Sequence, residues 1–203
     1  MGAAYTNSAN RIRVAGPERV PEMASGVKVT KDNVSAVMKS IAALNKARVM
    51  VGVPSENADR DDGSPVNNAE IGYIMETGSP EKNIPARPFL IPGINSVRSE
   101  ITDRFQAAGK RALDGDLAVI DKMLSAIGMV GQQAVQNKIK NGPFAPLAES
   151  TLRNRARRGR KGAAKELLSR AAGNAPDNSN ARPLIDTGEL LKSITYVLRR
   201  KGT

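Results

Sequence analysis

The sequence predicts an α+β fold in which one long central helix packs against a small sheet, with an extended N-terminal arm and long polar loops. The sheet is predicted by two short β-rich runs, at 48–53 and 194–198. The helix is predicted by an apolar stripe that advances by three or four residues and becomes less regular near its end, formed by Leu113, Leu117, Ile120, Leu124, Ile127, Val130, Val135 and Ile139. A coiled-coil seam is the alternative interpretation of this stripe, but the stripe lacks a sustained heptad.

The chain divides into an arm and one domain. Residues 1–26 are rich in Gly, Ala, Asn and Pro and show no periodicity, so we expect them to form an extended arm. Residues 27–203 are expected to form a single α+β domain with a basic loop insertion at about 153–182, because that region is long, polar and punctuated by glycine. The sequence 141–143, Asn-Gly-Pro, is expected to end the long helix.

Composition excludes several classes of chemistry. The 203 residues include no Cys and no His, so thiolate and imidazole metal sites, disulfides and Cys-His or Ser-His-Asp catalysis are excluded. Aromatic residues make up only 3% of the chain, so the core must be built from Ala, Val, Ile, Leu and Met. A core without many large side chains predicts that partner subunits complete the burial of apolar surface.

Positive charge is concentrated in the second half of the chain. Residues 1–100 carry 12 basic and 11 acidic side chains, whereas residues 101–203 carry 19 and 9. Seven cations fall within 153–165 without an acid among them: Arg153, Arg155, Arg157, Arg158, Arg160, Lys161 and Lys165. This run indicates a surface for nucleic acid or for an acidic protein, and a solvated loop is the plain alternative. No aromatic residue interleaves with the arginines, which disfavours stacking on single-stranded bases.

Two acidic motifs have enzymatic or metal-binding precedents. Asp186-Thr187-Gly188 has the form of an aspartic-protease triplet, but Glu189 and the helical spacing that follows it favour a helix cap. Asp59, Asp61 and Asp62 resemble part of a calcium loop, but a closing Glu at the required distance is lacking, which favours a turn. The sequence contains no phosphate-binding glycine loop. We therefore expect no enzymatic activity, no catalytic or metal-binding residues and no cofactor.

Four sequence blocks occur in an order that is typical of one protein family. They read VMVGVP at 49–54, AEIGYIMETG at 69–78 leading to IPARPFL at 84–90, FAPL followed by STL at 144–152, and PLIDTGELLKSI at 183–194. In this order the blocks resemble the tail-completion and neck proteins of long-tailed bacteriophages, which act in virion morphogenesis at the head–tail junction. The chain departs mildly from the family pattern, because Phe144 lies one residue further from Pro146 than is usual and Thr77 stands where Phe is common.

The resemblance implies a structural virion protein without catalytic residues. It implies a long helix against a small antiparallel sheet, and subunits assembled as a six-fold ring around the DNA channel at the phage neck or tail top. The implied partners are other copies of the chain, the adjoining tail-tube, terminator or head-side adaptor proteins, and the genome DNA that passes through the channel. We expect the protein to be in the virion, to assemble in the host cytoplasm and to have no membrane partner. A nucleic-acid-binding protein that uses segment 153–165 is the alternative.

Two groups of residues are candidate interface positions. Arg87 and Phe89 lie in a segment that its prolines hold extended, where strand-like alternation places both side chains on one side. An arginine beside an aromatic residue suits an interface anchor, although Phe89 in the core and Arg87 on the surface is the alternative. The second group lies in the basic run and consists of Arg155, Arg157, Arg158, Arg160 and Lys161.

Overall fold

The computed structural model describes residues 33–60 and 65–200. In chain order, its helices and strands are α1 (Val34–Lys46), β1 (Ala47–Gly52), α2 (Asn68–Thr77), α3 (Leu90–Ser96), α4 (Arg98–Leu113), α5 (Leu117–Asn141), α6 (Glu149–Arg157), α7 (Lys161–Ala171), α8 (Glu189–Ser193) and β2 (Thr195–Arg200). The arm predicted at 1–26 lies outside the described residues.

The sheet is formed by the strand that follows α1 and by the last element of the domain. β1 and β2 pair antiparallel, with Val49 opposite Leu198 and Val51 opposite Tyr196. Successive side chains of a strand point to opposite faces, so Ala47, Val49 and Val51 share one face. This face packs on α5. The predicted α+β fold, with a small antiparallel sheet against a long helix, is confirmed.

The long helix α5 begins later than the apolar stripe predicted. Gly115 adopts φ 79°, a left-handed conformation that favours glycine, and it separates α4 from α5. The side chain of Asp116 then caps α5 by accepting the Val119 N–H at 3.3 Å. Leu113 therefore ends α4 and is 59% exposed. The remaining stripe behaves as predicted, since five of its members are buried: Ile120, Leu124, Ile127, Val135 and Ile139.

Two glycines of α5 allow the sheet to approach the helix closely. A Cβ at Gly128 would overlap the Tyr196 ring, and a Cβ at Gly131 would lie 3.0 Å from Val51 Cγ2. Both contacts are tighter than side chains normally make in a packed core. The positions of these glycines therefore fix where β1 and β2 cross the long helix.

Glu76 orders the extended segment that leads into α3. Its carboxylate accepts the backbone N–H groups of Phe89 (2.7 Å), Leu90 (2.8 Å) and Ile91 (3.0 Å). These donors belong to the first turn of a helix and have no partner within it. An anion is also favourable at the positive end of a helix, so one α2 side chain both caps α3 and fixes the extended segment.

Buried apolar side chains form three clusters. The first consists of Phe89, Val135, Ile139, Leu184, Leu190 and Ile194, and Val51 of β1 packs against it. The second joins α4 to the first half of α5 through Ala112, Ile120, Leu124 and Ile127. The third lies under α6 and α7 and is formed by Leu147, Leu152, Ala163 and Ala181.

The third cluster explains why the predicted basic loop at about 153–182 is wrong in its first part. Residues 149–157 and 161–171 are helices, and only the stretch after α7 is irregular. Leu152 and Ala156 lie four residues apart in α6, as do Ala163 and Leu167 in α7, so each helix has a narrow apolar face. The surrounding charges obscure this spacing in the sequence, but burying the two faces against each other stabilises both helices.

Candidate interaction surface

The basic segment 153–165 spans α6, a tight turn and the start of α7. Gly159 lies in the turn with φ 79°. Because the segment is helical on both sides of this turn, its cations point in fixed directions. The exposure of their side chains differs widely, from 10% for Arg155 to 62% for Arg153. The seven cations form one uniform basic run in the sequence, but in the structure they differ in exposure and in role.

Arg155 is buried and fastens α6 to the segment that precedes α8. Its Nη1 donates to the carbonyl oxygens of Arg182 at 2.8 Å and Ile185 at 3.0 Å. Its Nη2 donates to the carbonyl oxygen of Pro183 at 2.8 Å. Burial lowers the pKa of Arg155, while the negative charge of Asp186 raises it and the neighbouring arginines lower it. Arg155 is therefore a structural residue and is not available to a partner.

Asp186 is the acid on which three of the arginines converge. Its carboxylate lies 2.9 Å from Arg158 Nη2, 3.0 Å from Arg160 Nε and 3.8 Å from Arg155 Nε. One negative charge faces three positive charges, so the cluster keeps a net positive charge. Arg158 and Arg160 are 57% and 41% exposed at their side chains, which leaves part of each guanidinium open to another molecule.

Arg87 and Phe89 lie inside the subunit. Phe89 is 2% exposed and belongs to the first apolar cluster, as the alternative interpretation predicted. Arg87 is 7% exposed, and its Nη2 donates to the carbonyl oxygen of Ala145 at 3.4 Å. Burial lowers the pKa of Arg87. The alternation correctly placed both side chains on one face, but that face points inward, so the prediction of an exposed interface pair is wrong.

The cations left at the surface lie on the outer sides of α6 and α7. Arg157, Lys161 and Lys165 are exposed, and none of the three forms an ion pair within the described residues. Arg153 is exposed too, but it pairs with Glu149 one helical turn earlier. We name Arg153, Arg157, Arg158, Lys161 and Lys165 the basic hairpin surface. It is smaller than the sequence predicted, because Arg155 is buried and Arg160 is less exposed than these five.

A cleft of about 430 Å³ adjoins the Asp186 cluster. Its polar wall includes Arg158, Asp186 and Glu189, and Glu189 lies 3.4 Å from Arg60. Its apolar wall is formed by Ile71, Met75, Leu184 and Leu190. An aspartic dyad needs two carboxylates that share a proton. Among the described residues, the groups that pair with the Asp186 carboxylate are guanidinium groups and not a second carboxylate.

Glu166 is a site residue that the sequence analysis missed. It is 1% exposed and accepts hydrogen bonds from Arg170 Nε (2.9 Å), Asn180 Nδ2 (3.2 Å) and the Asp177 N–H (3.2 Å). Burial raises the pKa of Glu166, but the hydrogen bonds from Arg170, Asn180 and Asp177 outweigh it, so the pKa is lowered overall. The spacing of Glu166 and Arg170 was visible in the sequence, whereas the burial of Glu166 and its contacts across the loop were not.

Comparisons with protein-family models, curated proteins and solved structures gave no match for this chain. Across residues 33–60 and 65–200, no three His, Cys, Asp or Glu side chains are grouped to hold a metal ion. Two members of the acidic run considered for calcium, Asp61 and Asp62, lie outside those ranges. None of the helices in the described part of the chain has the length and apolar content needed to span a membrane.

Proposed function

We propose that this chain is a structural virion protein of a long-tailed bacteriophage. It completes the tail at the neck or tail top and joins it to the head as a ring around the DNA channel. The observation that supports the proposal is the convergence of the four sequence blocks on one apolar cluster. Val51, Met75, Phe144 and Leu190 come from four different blocks, and all four pack in the cluster that contains Phe89.

This convergence gives the sequence resemblance a physical basis. The blocks lie up to about 140 residues apart in the chain, yet their apolar positions share one core and their polar positions hold it together. Arg87 of the second block reaches the carbonyl oxygen of Ala145 in the third, and Arg155 binds the start of the fourth.

The basic hairpin surface and the adjoining cleft are the surfaces through which the subunit meets its neighbours. Exposed cations interact weakly one at a time, but several together attract an acidic face and guide its approach. Apolar side chains on other faces suit the contacts within a ring, such as Val34 and Met38, which lie one turn apart on α1 and are 69% and 62% exposed.

The state of the purified protein in solution tests this proposal. Sedimentation velocity and negative-stain microscopy should show closed rings, formed by the chain alone or with tail components. The nucleic-acid alternative predicts a protein that retains duplex DNA at about 50 mM salt and releases it steeply as salt rises. A chain that forms no ring, even with tail components, and that binds DNA in this salt-dependent way would overturn the proposal in favour of the alternative.

A further inference from the structure

The two-stranded sheet has a second face that points away from α5. Because side chains alternate along a strand, this face carries Arg48, Met50 and Gly52 of β1, with Val197 and Arg199 of β2 opposite them. We name these five residues the outer sheet face. Met50 is 50% exposed, and a groove of about 320 Å³ runs from it past Val53, Pro54 and Thr195.

Two like charges face each other across this sheet. Arg48 and Arg199 are directly opposite in the register, and both are exposed. Like charges in this arrangement repel each other and destabilise the strand pair. Neither residue has an acid partner among the residues that the structure describes, whereas the adjacent Arg200 is paired with Asp121 at 2.6 Å. The outer sheet face thus has two adjacent guanidinium groups that no acid in residues 33–60 and 65–200 neutralises.

Gly52 leaves an open space beside this charged pair. Its backbone is not in the left-handed region, so the conformation does not require glycine. A Cβ built at Gly52 meets nothing within 4 Å, so packing does not require glycine either. Glycine weakens a strand, and a glycine inside a strand is often found where a ligand or another backbone approaches closely.

We propose that the outer sheet face binds an extended segment of a partner protein that carries an acidic and an apolar side chain. The acid bridges Arg48 and Arg199, whose Cβ atoms lie about 5 Å apart as directly opposite residues, so one carboxylate reaches both groups. The apolar side chain fills the space over Gly52. Gly52 lies four positions after Arg48 in the strand, a distance of about 13 Å. The acid and the apolar side chain of an extended partner therefore lie four positions apart as well.

The apolar part of this face favours a protein over a nucleic acid. Exposed Met beside Arg is a composition typical of protein interfaces. A nucleic-acid surface would pair its cations with aromatic side chains for base stacking, and the aromatic residue of β2, Tyr196, packs against α5 instead. The carboxylate relieves the repulsion between the two arginines, so the contact is favourable for both partners.

A binding measurement with the full chain tests this inference. The probe is the fluorescein-labelled peptide acetyl-Glu-Thr-Val-Thr-Leu-amide, followed by fluorescence anisotropy at low salt. We expect Arg48→Glu and Gly52→Val each to weaken binding at least about tenfold, through charge reversal and a filled space respectively. Gly109→Ala is the matched control, because Gly109 in α4 also has open space around it and is not part of the outer sheet face, so binding should not change.

Both variants keep the fold, so weaker binding reports on the surface. Arg48→Glu places an acid opposite Arg199, and Gly52→Val adds a β-branched residue to a strand, so the melting temperature should stay level or rise by about 1–4 °C. Three results would overturn the inference: no binding of the peptide, equal binding after its Glu is replaced by Lys, or unchanged binding to the Gly52→Val variant. Tighter binding of a labelled oligothymidylate, lost in Arg48→Glu, would assign the face to nucleic acid instead.

Discussion

Arg155 donates a buried hydrogen bond of 2.8 Å from its Nη2 to the carbonyl oxygen of Pro183. This bond crosses from α6 to the segment that precedes α8, and two further bonds from the same guanidinium fasten that segment at Arg182 and Ile185. A residue in the middle of a cationic run thus holds together two parts of the chain that carry the family resemblance. Replacing Arg155 and replacing an exposed arginine of the same run remove the same charge, so comparing the two variants isolates the contribution of the Arg155 hydrogen bonds to stability.

Arg155→Ala should destabilise the domain by about 2–4 kcal/mol. The substitution removes a buried side chain and the donor to three carbonyl groups, of which that of Arg182 keeps the backbone N–H of Ile185 at 3.3 Å. A buried carbonyl group left without a donor has a large free-energy penalty. Urea unfolding followed by circular dichroism measures the change. Arg157→Ala is the matched control, since Arg157 lies two residues away on the exposed side of α6. Equal destabilisation by the two variants would contradict the structural role of Arg155.

Replacing Arg157, Lys161 and Lys165 together by Ser should leave the melting temperature nearly unchanged, because all three side chains are exposed. If the basic hairpin surface docks on an acidic neighbour, phage that carry this variant should show more separated heads and tails by negative-stain microscopy. Single replacements should have little effect, because each exposed charge contributes little by itself.

A control variant with the same change in net charge makes that result specific. Lys39, Lys110 and Lys122 are exposed lysines on α1, α4 and α5, and their replacement by Ser should not change the fraction of joined particles. An equal loss of joining with both triple variants would show that net charge alone matters. Normal joining with both would leave the basic hairpin surface as a solvated face.

Stability should fall in acid because of Glu166. Its pKa is lowered in the folded state, so its ionised form stabilises the fold at pH values above the ordinary value of 4.5. That contribution is lost as the pH falls through the folded-state pKa. The difference in urea midpoint between the wild type and Glu166→Gln should therefore shrink between pH 6 and pH 3. Asp177, whose pKa is also lowered by hydrogen bonds from Ser179, is present in both proteins and cancels in the comparison. A constant difference across this range would contradict the role of Glu166.

Gly128→Ala should destabilise the domain by about 1–3 kcal/mol, since the added methyl group overlaps the Tyr196 ring and forces the sheet away from α5. Gly109→Ala makes the same chemical change in α4, where nothing lies within 4 Å of the new Cβ. It should stabilise the helix slightly, because alanine favours the helical state over glycine. Thermal unfolding of both variants checks the prediction, and a stabilising Gly128→Ala would place the sheet elsewhere on α5.

The spacing of apolar residues along the chain correctly predicted the long helix and the two strands. The stripe from Ile120 to Ile139 and the two β-rich runs are present as expected, because a helix or strand that buries one face repeats apolar residues at its own period. The start of α5 was predicted too early because Leu113 fits the same spacing. The glycine at position 115 interrupts the helix despite that spacing.

Long-range pairing limited what the sequence could say about the candidate site. In the sequence, Arg155, Arg158 and Arg160 have no acid near them. In the structure all three face Asp186, which lies more than 25 residues later in the chain. Arg87 depends in the same way on the carbonyl oxygen of Ala145, 58 residues away. A spacing signal for α7 was present in Ala163 and Leu167, but the seven cations of 153–165 outweighed it.

The central claim is that this chain is a ring-forming subunit at the phage neck or tail top. A cryo-electron microscopy map of the intact particle at the head–tail junction tests it most directly. We expect a ring of density around the DNA channel into which β1, β2 and α5 fit as a unit, with Tyr196 against Gly128. A map in which other proteins account for every ring between portal and tail tube, with this chain absent from the purified particle, would contradict it.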